Sequence, residues 1–216
     1  MNSKTLLIAA AALAAGVMTS QAQVYSQNIV GYINIPLVAN QNNLIANQLD
    51  LDGTGTNNTL ASLFSTNLPN NTTIQAWNGT GFAADSYSTS SGWTTTVNPI
   101  INASLQPGSG FFIKTKLATT ITLVGNVLVG TNNLAVPAGI NVYAPTVPVA
   151  GTLDGTNSFP IANNNTVQVW NGTGYNAFSY SSSSGWNPSD PQLTVGQSVF
   201  VNVKKATNWT QVLNVQ

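Results

Sequence analysis

Few side chains in this sequence can do acid, base or nucleophilic chemistry. It holds five Lys and five Asp, and it lacks Arg, Glu, His and Cys. Two carboxylates that flank a glycosidic bond can hydrolyse it, and a Ser or Thr nucleophile needs a base to activate it. No His is present to act as that base. The only acids are Asp50, Asp52, Asp85, Asp154 and Asp190. We therefore predict that the protein is not an enzyme and has no catalytic residue and no cofactor.

One acidic segment, residues 50–57, has the oxygen-rich, Gly-interrupted pattern of a calcium loop. An EF-hand needs a bidentate Glu at the twelfth position, where this chain has Ala61. The related segment at residues 153–157 keeps a single acid. An Asp-Gly turn is the favoured interpretation, so we predict no metal site. Calcium binding by Asp50 and Asp52 is the alternative.

Aromatic side chains beside amides offer a different kind of chemistry, which is stacking against a sugar ring. Residues 78–81, Asn-Gly-Thr-Gly, tolerate positive φ and predict a four-residue hairpin loop. Such a loop pairs Trp77 with Phe82. The same pattern recurs later in the chain and pairs Trp170 with Tyr175.

Alternation along these strands predicts which face of each hairpin is buried. Ile74 and Ala76 fall on the aliphatic face, which we assign to the core. Trp77 falls on the opposite face, where it is available to a glycan. The favoured alternative is a cross-strand aromatic pair that stabilises the hairpin end by about 0.5 to 1.5 kcal/mol beyond burial.

Two further Trp residues, Trp93 and Trp186, follow Ser-rich segments and a Gly. This context predicts a loop tip or the start of a short strand. A Trp on a polar loop can contact a ligand, but folding back over the end of the sandwich is the favoured interpretation. The candidate glycan contacts are therefore Trp77, Phe82, Trp93, Trp170, Tyr175 and Trp186.

Small or amide polar residues are abundant, with 29 Asn, 26 Thr and 19 Ser among 216 residues, and the formal net charge is zero. A protein that binds nucleic acid or an acidic membrane needs a basic surface, so neither partner is expected. Without Cys, disulfides and Cys-based zinc sites are excluded. The hydrophobic content of 43% is sufficient for a folded core.

The N-terminal residues 1–22 have the three parts of a secretory signal peptide. Lys4 lies in a short polar start, an apolar run follows, and Ser20-Gln21-Ala22 forms a small-x-small cleavage site. The apolar run is shorter than the roughly 20 residues of a membrane-spanning helix. We predict cleavage after Ala22, no transmembrane segment, and a secreted location outside the cell or at its surface.

The rest of the chain contains two copies of one module. Residues 70–93 align with residues 163–186 at a shift of 93, with 17 identities in 24 positions. Downstream the shift falls to 88, which places a five-residue length difference between Trp93 and Leu105. A long period present only twice favours tandem domains over a solenoid.

Each copy consists mainly of short β-branched or aromatic runs between Asn, Gly, Pro and Ser clusters. The predicted strands of the first copy are 29–37, 44–49, 72–77, 82–87, 111–116 and 120–124. Residues 58–64 give the only helical signal. The fold class that this favours is all-β, with two tandem antiparallel β-sandwich or small β-barrel modules related by an internal repeat.

The predicted domains are the signal peptide at 1–22, β-module 1 at 23–126 and β-module 2 at 127–216. About 97 residues with five or six strands can close a small core, so we expect each module to fold by itself. A single merged body of twelve strands is the alternative.

Several motifs of the first copy occur in a recognisable order. They are Ile29-Val30-Gly31-Tyr32, Leu44-Ile45-Ala46-Asn47, Trp77-Asn78-Gly79, Gly92-Trp93, and the Leu-Gln-Pro-Gly-Ser-Gly-Phe-Phe-Ile run of 105–113. This order resembles a group of exported bacterial tandem β-modules without a characterised activity. The second copy departs from the pattern, with Val195 in place of Pro107 and Ser198 in place of Gly110. The resemblance implies a surface or matrix component and no binding residue.

Two functions from different classes are compatible with this sequence. The first is a secreted, non-enzymatic structural component of the cell surface or extracellular matrix. The second is a carbohydrate-binding module that uses exposed Trp and Tyr side chains on cell-surface glycans. Self-association is also expected, because residues 29–37 form an uncharged strand that can add to a neighbouring molecule. Pairing of that strand within its own module is the favoured alternative.

Overall fold

The computed structural model describes residues 29–64, 68–95 and 97–215, so the predicted signal peptide at 1–22 lies outside the described residues. Within them the chain forms sixteen short strands and two helices. The strands are β1 (Val30–Leu37), β2 (Asn42–Ile45), β3 (Thr72–Trp77), β4 (Phe82–Ser88), β5 (Gly92–Trp93), β6 (Phe111–Lys114), β7 (Thr119–Asn126), β8 (Gly130–Val136), β9 (Gly139–Tyr143), β10 (Gly151–Thr152), β11 (Thr166–Trp170), β12 (Tyr175–Ser181), β13 (Gly185–Asn187), β14 (Gln192–Leu193), β15 (Val199–Val203) and β16 (Thr207–Leu213). The helices are α1 (Leu60–Leu63) and α2 (Pro99–Ser104).

Module 1 contains two antiparallel sheets. One is the pair β1-β7, and the other has the strand order β2-β6-β3-β4-β5. Along β1, Ile33 and Ile35 are buried while Tyr32 and Asn34 are exposed, as the period of two in a half-buried strand requires. Side chains from both sheets belong to one buried cluster. Module 1 is therefore a small antiparallel sandwich.

Module 2 repeats this arrangement strand for strand. Its two-stranded sheet is β8-β16, and its five-stranded sheet has the order β9-β15-β11-β12-β13. The short pair β10-β14 is an addition. Its core cluster is built around Trp209, which is fully buried, packs 4.9 Å from Phe159 between ring centroids, and donates its indole N–H to the Asn157 carbonyl at 2.7 Å.

The predicted fold class is confirmed, because the chain is all-β and consists of two antiparallel β-sandwich modules related by an internal repeat. Each named strand pair of the described residues joins strands from the same side of residue 126. β1 pairs with β7 from Val30↔Asn126 to Leu37↔Thr119. The first strand is thus paired within its own module, and self-association stays a prediction.

The predicted helical signal at residues 58–64 corresponds to α1. Thr59 caps this helix, and a reciprocal pair of hydrogen bonds with Ser62 completes a capping box. Leu60 and Phe64 are buried in the core of module 1. The short helix therefore contributes to the core of module 1.

The second helix, α2, was not predicted, and the statement that residues 58–64 give the only helical signal was wrong. This helix lies in the five-residue length difference between the repeats, so it distinguishes module 1 from module 2. Asn98 caps it by accepting from the Ile101 N–H, and Pro99 occupies the first turn. Asn followed by Pro is a helix-start signal. It was missed because the surrounding sequence is rich in strand-forming residues.

Candidate functional site

The two Trp-Asn-Gly hairpins are built as predicted. Trp77 pairs with Phe82 across β3 and β4, and Asn78 holds the loop by accepting from the Thr80 and Gly81 N–H groups at 3.0 and 2.8 Å. The two aromatic rings meet edge to face, with centroids 5.1 Å apart. In module 2 the pair Trp170 and Tyr175 has its centroids 4.9 Å apart.

The aliphatic face of each hairpin is in the core of its module, as the alternation predicts, but the Trp face is also covered. Ile74 and Ala76 are fully buried in the core of module 1. The Trp face lies against the other module. There four buried side chains form a third cluster, on which Trp77 and Trp170 pack. We call it the interface cluster, and its four members are Leu44, Phe112, Val142 and Phe200.

Aromatic rings dominate the interface cluster. Phe112 of module 1 lies 5.4 Å from Trp170 of module 2, and Phe200 of module 2 lies 6.1 Å from Trp77 of module 1. The two Phe rings are 6.1 Å apart. Edge-to-face and tilted rings at these separations attract each other beyond the burial of their area. The Trp of each module thus packs against the Phe of the other module.

The Trp indoles also bond across the interface. Trp77 Nε1 donates to the Ile140 carbonyl at 2.8 Å, and Trp170 Nε1 donates to the Asn42 carbonyl at 2.6 Å. Asn42 and Ile140 are equivalent positions of the two copies, so the two bonds are reciprocal. A buried or half-buried indole N–H needs such a partner. The indole N–H groups of Trp77 and Trp170 therefore serve the contact between the modules.

Backbone contacts repeat the same reciprocity. The Ala46 N–H donates to the Gly196 carbonyl at 2.8 Å, and the Ala144 N–H donates to the Gly108 carbonyl at 3.0 Å. Each bond joins equivalent positions in opposite directions. An interface in which residue i of one half meets residue j of the other, and j meets i, is isologous. The two modules therefore face each other about an approximate twofold axis.

A fully buried amide, Gln48, reinforces this interface. Its Nε2 donates to the carbonyls of Pro145 and Val147 at 3.0 and 3.1 Å, and its Oε1 accepts from the Gly196 N–H at 2.7 Å. All three partners belong to module 2. Because buried backbone groups need hydrogen-bond partners, one side chain of module 1 satisfies three groups of the opposite module.

Two open clefts flank the interface at equivalent places. The larger, of about 660 Å³, lies between Trp77, helix α2 and strand β9, and the smaller, of about 350 Å³, lies beside Trp170. Neither has a charged side chain in its lining. Tyr143 lines the larger cleft, and burial raises the pKa of its hydroxyl to about 12.

Trp93 and Trp186 lie in short strands, which was one of the two predicted settings. Trp93 packs 5.4 Å from the ring of Tyr87, and Trp186 packs 5.5 Å from the ring of Tyr180. Trp186 Nε1 lies 3.4 Å from the Asp154 carboxylate. The Trp93 Nε1 is buried without a hydrogen-bond partner among the described residues. Both rings fold back onto their own sheets.

The acidic segment at residues 50–57 forms a turn in which nearby N–H groups donate hydrogen bonds to its two carboxylates. Asp50 Oδ2 accepts from the Gly55 N–H at 2.8 Å, and Asp52 accepts from the Thr54 N–H at 3.0 Å. Asn57 and Asn58 donate their amides to the same two carboxylates. Within the described residues no group of three or more Asp side chains comes together. This arrangement is that of an Asp-Gly turn.

We expect the Asp52 carboxyl to titrate below its ordinary pKa of 3.8, because the Thr54 hydroxyl and then the Thr54 N–H donate to its charged form. A lowered pKa adds stability above pH 3.8, and this contribution is lost as the pH falls through the lowered value. NMR titration of the carboxyl carbon measures it. Thr54→Val should move the pKa back toward 3.8, and an unchanged pKa in that variant contradicts the assignment.

The other acids are also used by the fold. Asp190 accepts from the backbone N–H groups of Asp154 and Gly155 at 3.1 and 3.0 Å. Asp85 is buried and accepts from the Ser86 N–H at 2.7 Å, but its Oδ2 has no partner among the described residues. Its equivalent in module 2 is Phe178. These carboxylates therefore accept hydrogen bonds from groups that hold the fold.

Comparison with protein-family models, with curated proteins and with solved structures finds no match. The resemblance to exported bacterial tandem β-modules therefore stays a prediction. No helix in the described part of the chain has the length and apolar character needed to cross a membrane.

Sequence reasoning missed the interface between the modules. The signal was present in β6 and β15, whose Phe-Phe-Ile and Val-Phe-Val runs are apolar without alternation. A strand that is apolar at consecutive positions is buried on both faces. One face of each run belongs to the core of its module, and the other carries Phe112 or Phe200 into the interface cluster.

Proposed function

We propose that the protein is a secreted, non-enzymatic structural component of the cell surface or extracellular matrix. One observation carries this proposal: the Asp carboxylates and the hairpin Trp side chains are engaged in holding the fold. The acids accept backbone or amide donors, and the Trp side chains of both hairpins join the modules. What the described surface offers to the outside is mainly hydroxyl and amide groups with few charges.

Fractionation of the source cells tests location and role together. The proposal predicts that the protein is found in the surface or matrix fraction, with Gln23 as its first residue by mass spectrometry. It also predicts that deletion of the gene weakens the cohesion of that fraction without loss of an extracellular enzymatic activity. Recovery of the chain with Met1 or Lys4 still attached, from inside the cell, would contradict the proposal.

Glycan binding is the second candidate, and the larger cleft favours it. This cleft presents the partly exposed Trp77 ring beside Asn78, Thr80 and Asn141, without charge. An aromatic face with convergent amide and hydroxyl groups is suited to a sugar. Phe82 lies at the same hairpin end and is 46% exposed. The site would then lie between the modules rather than on one hairpin.

Intrinsic fluorescence, titrated with a panel of neutral polysaccharides, separates the two candidates. The structural proposal predicts no saturable change. A saturable blue shift would favour glycan binding, provided that it is lost in Thr80→Ala and Asn141→Ala, which change residues that line the cleft, and kept in Trp186→Phe. Trp186 lies outside the cleft, so this variant controls for changes in emission alone.

A further inference from the structure

The approximate twofold axis passes through two positions where the repeats differ. Gly110 follows the Leu-Gln-Pro-Gly segment of module 1, and Ser198 is its equivalent in module 2. A Cβ placed on Gly110 would lie 2.3 Å from the Ser198 Cβ and 2.2 Å from its Oγ. Equivalent positions that meet each other lie on the axis that relates the two halves.

The interface has room for only one side chain at this point. Ser198 occupies it, is fully buried, and donates its hydroxyl to the Ile45 carbonyl of module 1 at 2.9 Å. Apart from Ser198, the nearest atom to a Cβ on Gly110 is the same Ile45 carbonyl oxygen at 3.0 Å. Protein interiors are close-packed, so two side chains cannot share this volume without displacement of the backbone.

We propose that Gly110 and Ser198 make the pairing of the modules heterotypic, because only one of the two positions carries a side chain. We call this pair of residues the key. The face of module 1 accepts a face of module 2, whereas two faces of module 2 would bring two Ser side chains into the space of one. The key therefore excludes the pairing of two module 2 faces, and it favours module 2 over a second module 1 as the partner of module 1 by the hydrogen bond from Ser198 to Ile45. This inference goes beyond the proposed function and does not depend on it.

The key also gives a physical reason for a departure between the repeats. The change from Gly110 to Ser198 occurs in a segment that is otherwise equivalent in position and backbone contacts. At any other position, two copies of a module can carry the same residue. On the axis, a Ser in both copies would collide, and a Gly in both would leave the Ile45 carbonyl without the hydroxyl that now bonds to it.

Urea denaturation of full-length variants tests the key. We expect Gly110→Ser to lower the folded-to-unfolded ratio by about a hundredfold through overpacking. Ser198→Gly should lower it by about fivefold, because one buried hydrogen bond is lost. The double variant Gly110→Ser/Ser198→Gly should be at least about tenfold more stable than Gly110→Ser, since it again places a single side chain on the axis.

Two controls isolate the cause. Gly81→Ser changes a hairpin Gly whose Cβ would have no neighbour within 4 Å, so the stability should be unchanged. The double variant Gly110→Ser/Ser198→Ala keeps a Cβ at both positions and should stay as unstable as Gly110→Ser. If Gly110→Ser does not fold, folding of the Ser/Gly double variant supports the key and its failure to fold overturns it. Additive effects, or equal stability of Gly110→Ser and Gly81→Ser, also overturn it.

Discussion

Replacing Phe200 by Ala should lower the free energy of unfolding by about 3 to 4 kcal/mol. Phe200 is 6% exposed, although it lies on the face of its sheet that points away from the core of module 2. Its ring lies 6.1 Å from Trp77 and 5.5 Å from Tyr175, so truncation leaves a cavity between rings of both modules. Chemical denaturation of the full-length protein measures the loss.

Phe82→Ala is the matched control, because this ring belongs to the same aromatic group and is 46% exposed. It should cost about 1 kcal/mol, since less apolar area is lost and no closed cavity forms. Phe112→Ala, at the position equivalent to Phe200, should match Phe200→Ala. The double variant should cost less than the sum, because both truncations open one cavity. Equal small losses in Phe82→Ala and Phe200→Ala would show that the interface cluster is not a packed core.

Gln48→Leu is expected to have an effect of similar size for a different reason. Leu is close to Gln in volume but cannot hydrogen bond, so the Pro145 carbonyl and the Gly196 N–H lose their partner. The Val147 carbonyl loses one of two, because it also accepts from the Val149 N–H at 2.9 Å. A buried polar group left without a partner costs about 1 to 3 kcal/mol. With two such groups, the free energy of unfolding should fall by about 2 to 4 kcal/mol.

Gln192→Leu is the control for this substitution. Gln192 lies in the short strand β14, is exposed, and makes no side-chain hydrogen bond to a described residue. An exposed substitution of this kind changes stability by about 0.5 kcal/mol or less. If Gln48→Leu and Gln192→Leu have the same stability, the Gln48 amide does not hold the two modules together.

Local structure in this protein follows closely from its sequence. The Asn-Gly-Thr-Gly loops specify the hairpins and pair Trp77 with Phe82, because turn residues and strand alternation act over a few residues. The repeat predicts that the two modules have the same strand order, and they do. β1, β3 and β4 begin and end within one residue of the predicted limits.

The ends of other elements depend on contacts that a local pattern does not contain. β2 ends at Ile45 rather than residue 49, and the next residue, Ala46, bonds to Gly196 of the other module. Alternation shows which face of a strand is apolar, but it does not show what covers that face. For this reason the sequence indicates Trp77 and Trp170 as candidate glycan contacts, whereas in the structure each lies on a face that the opposite module covers.

The difference between Gly110 and Ser198 has the same origin. In the sequence it is a departure of the second copy from the first. In the structure the two positions meet across the interface, and the space between them holds one side chain. No periodicity or motif contains this information, because it depends on where the twofold axis passes through the folded chain.

The central claim is that the two repeats form one cooperative body. Composition and length favour two autonomous modules, and each module does have a buried cluster of its own. The interface cluster, the reciprocal Trp bonds and Gln48 lead us to expect coupled unfolding instead. Loss of either module would leave the aromatic face of the other in water, which opposes independent unfolding.

Differential scanning calorimetry of the purified protein tests this claim most directly. We predict one transition whose calorimetric enthalpy equals the van't Hoff enthalpy, as for a single two-state domain. Phe200→Ala should move that whole transition to a lower temperature. Two resolved transitions, or a calorimetric enthalpy about twice the van't Hoff value, with Phe200→Ala shifting only one component, would contradict the claim and show that the modules unfold independently.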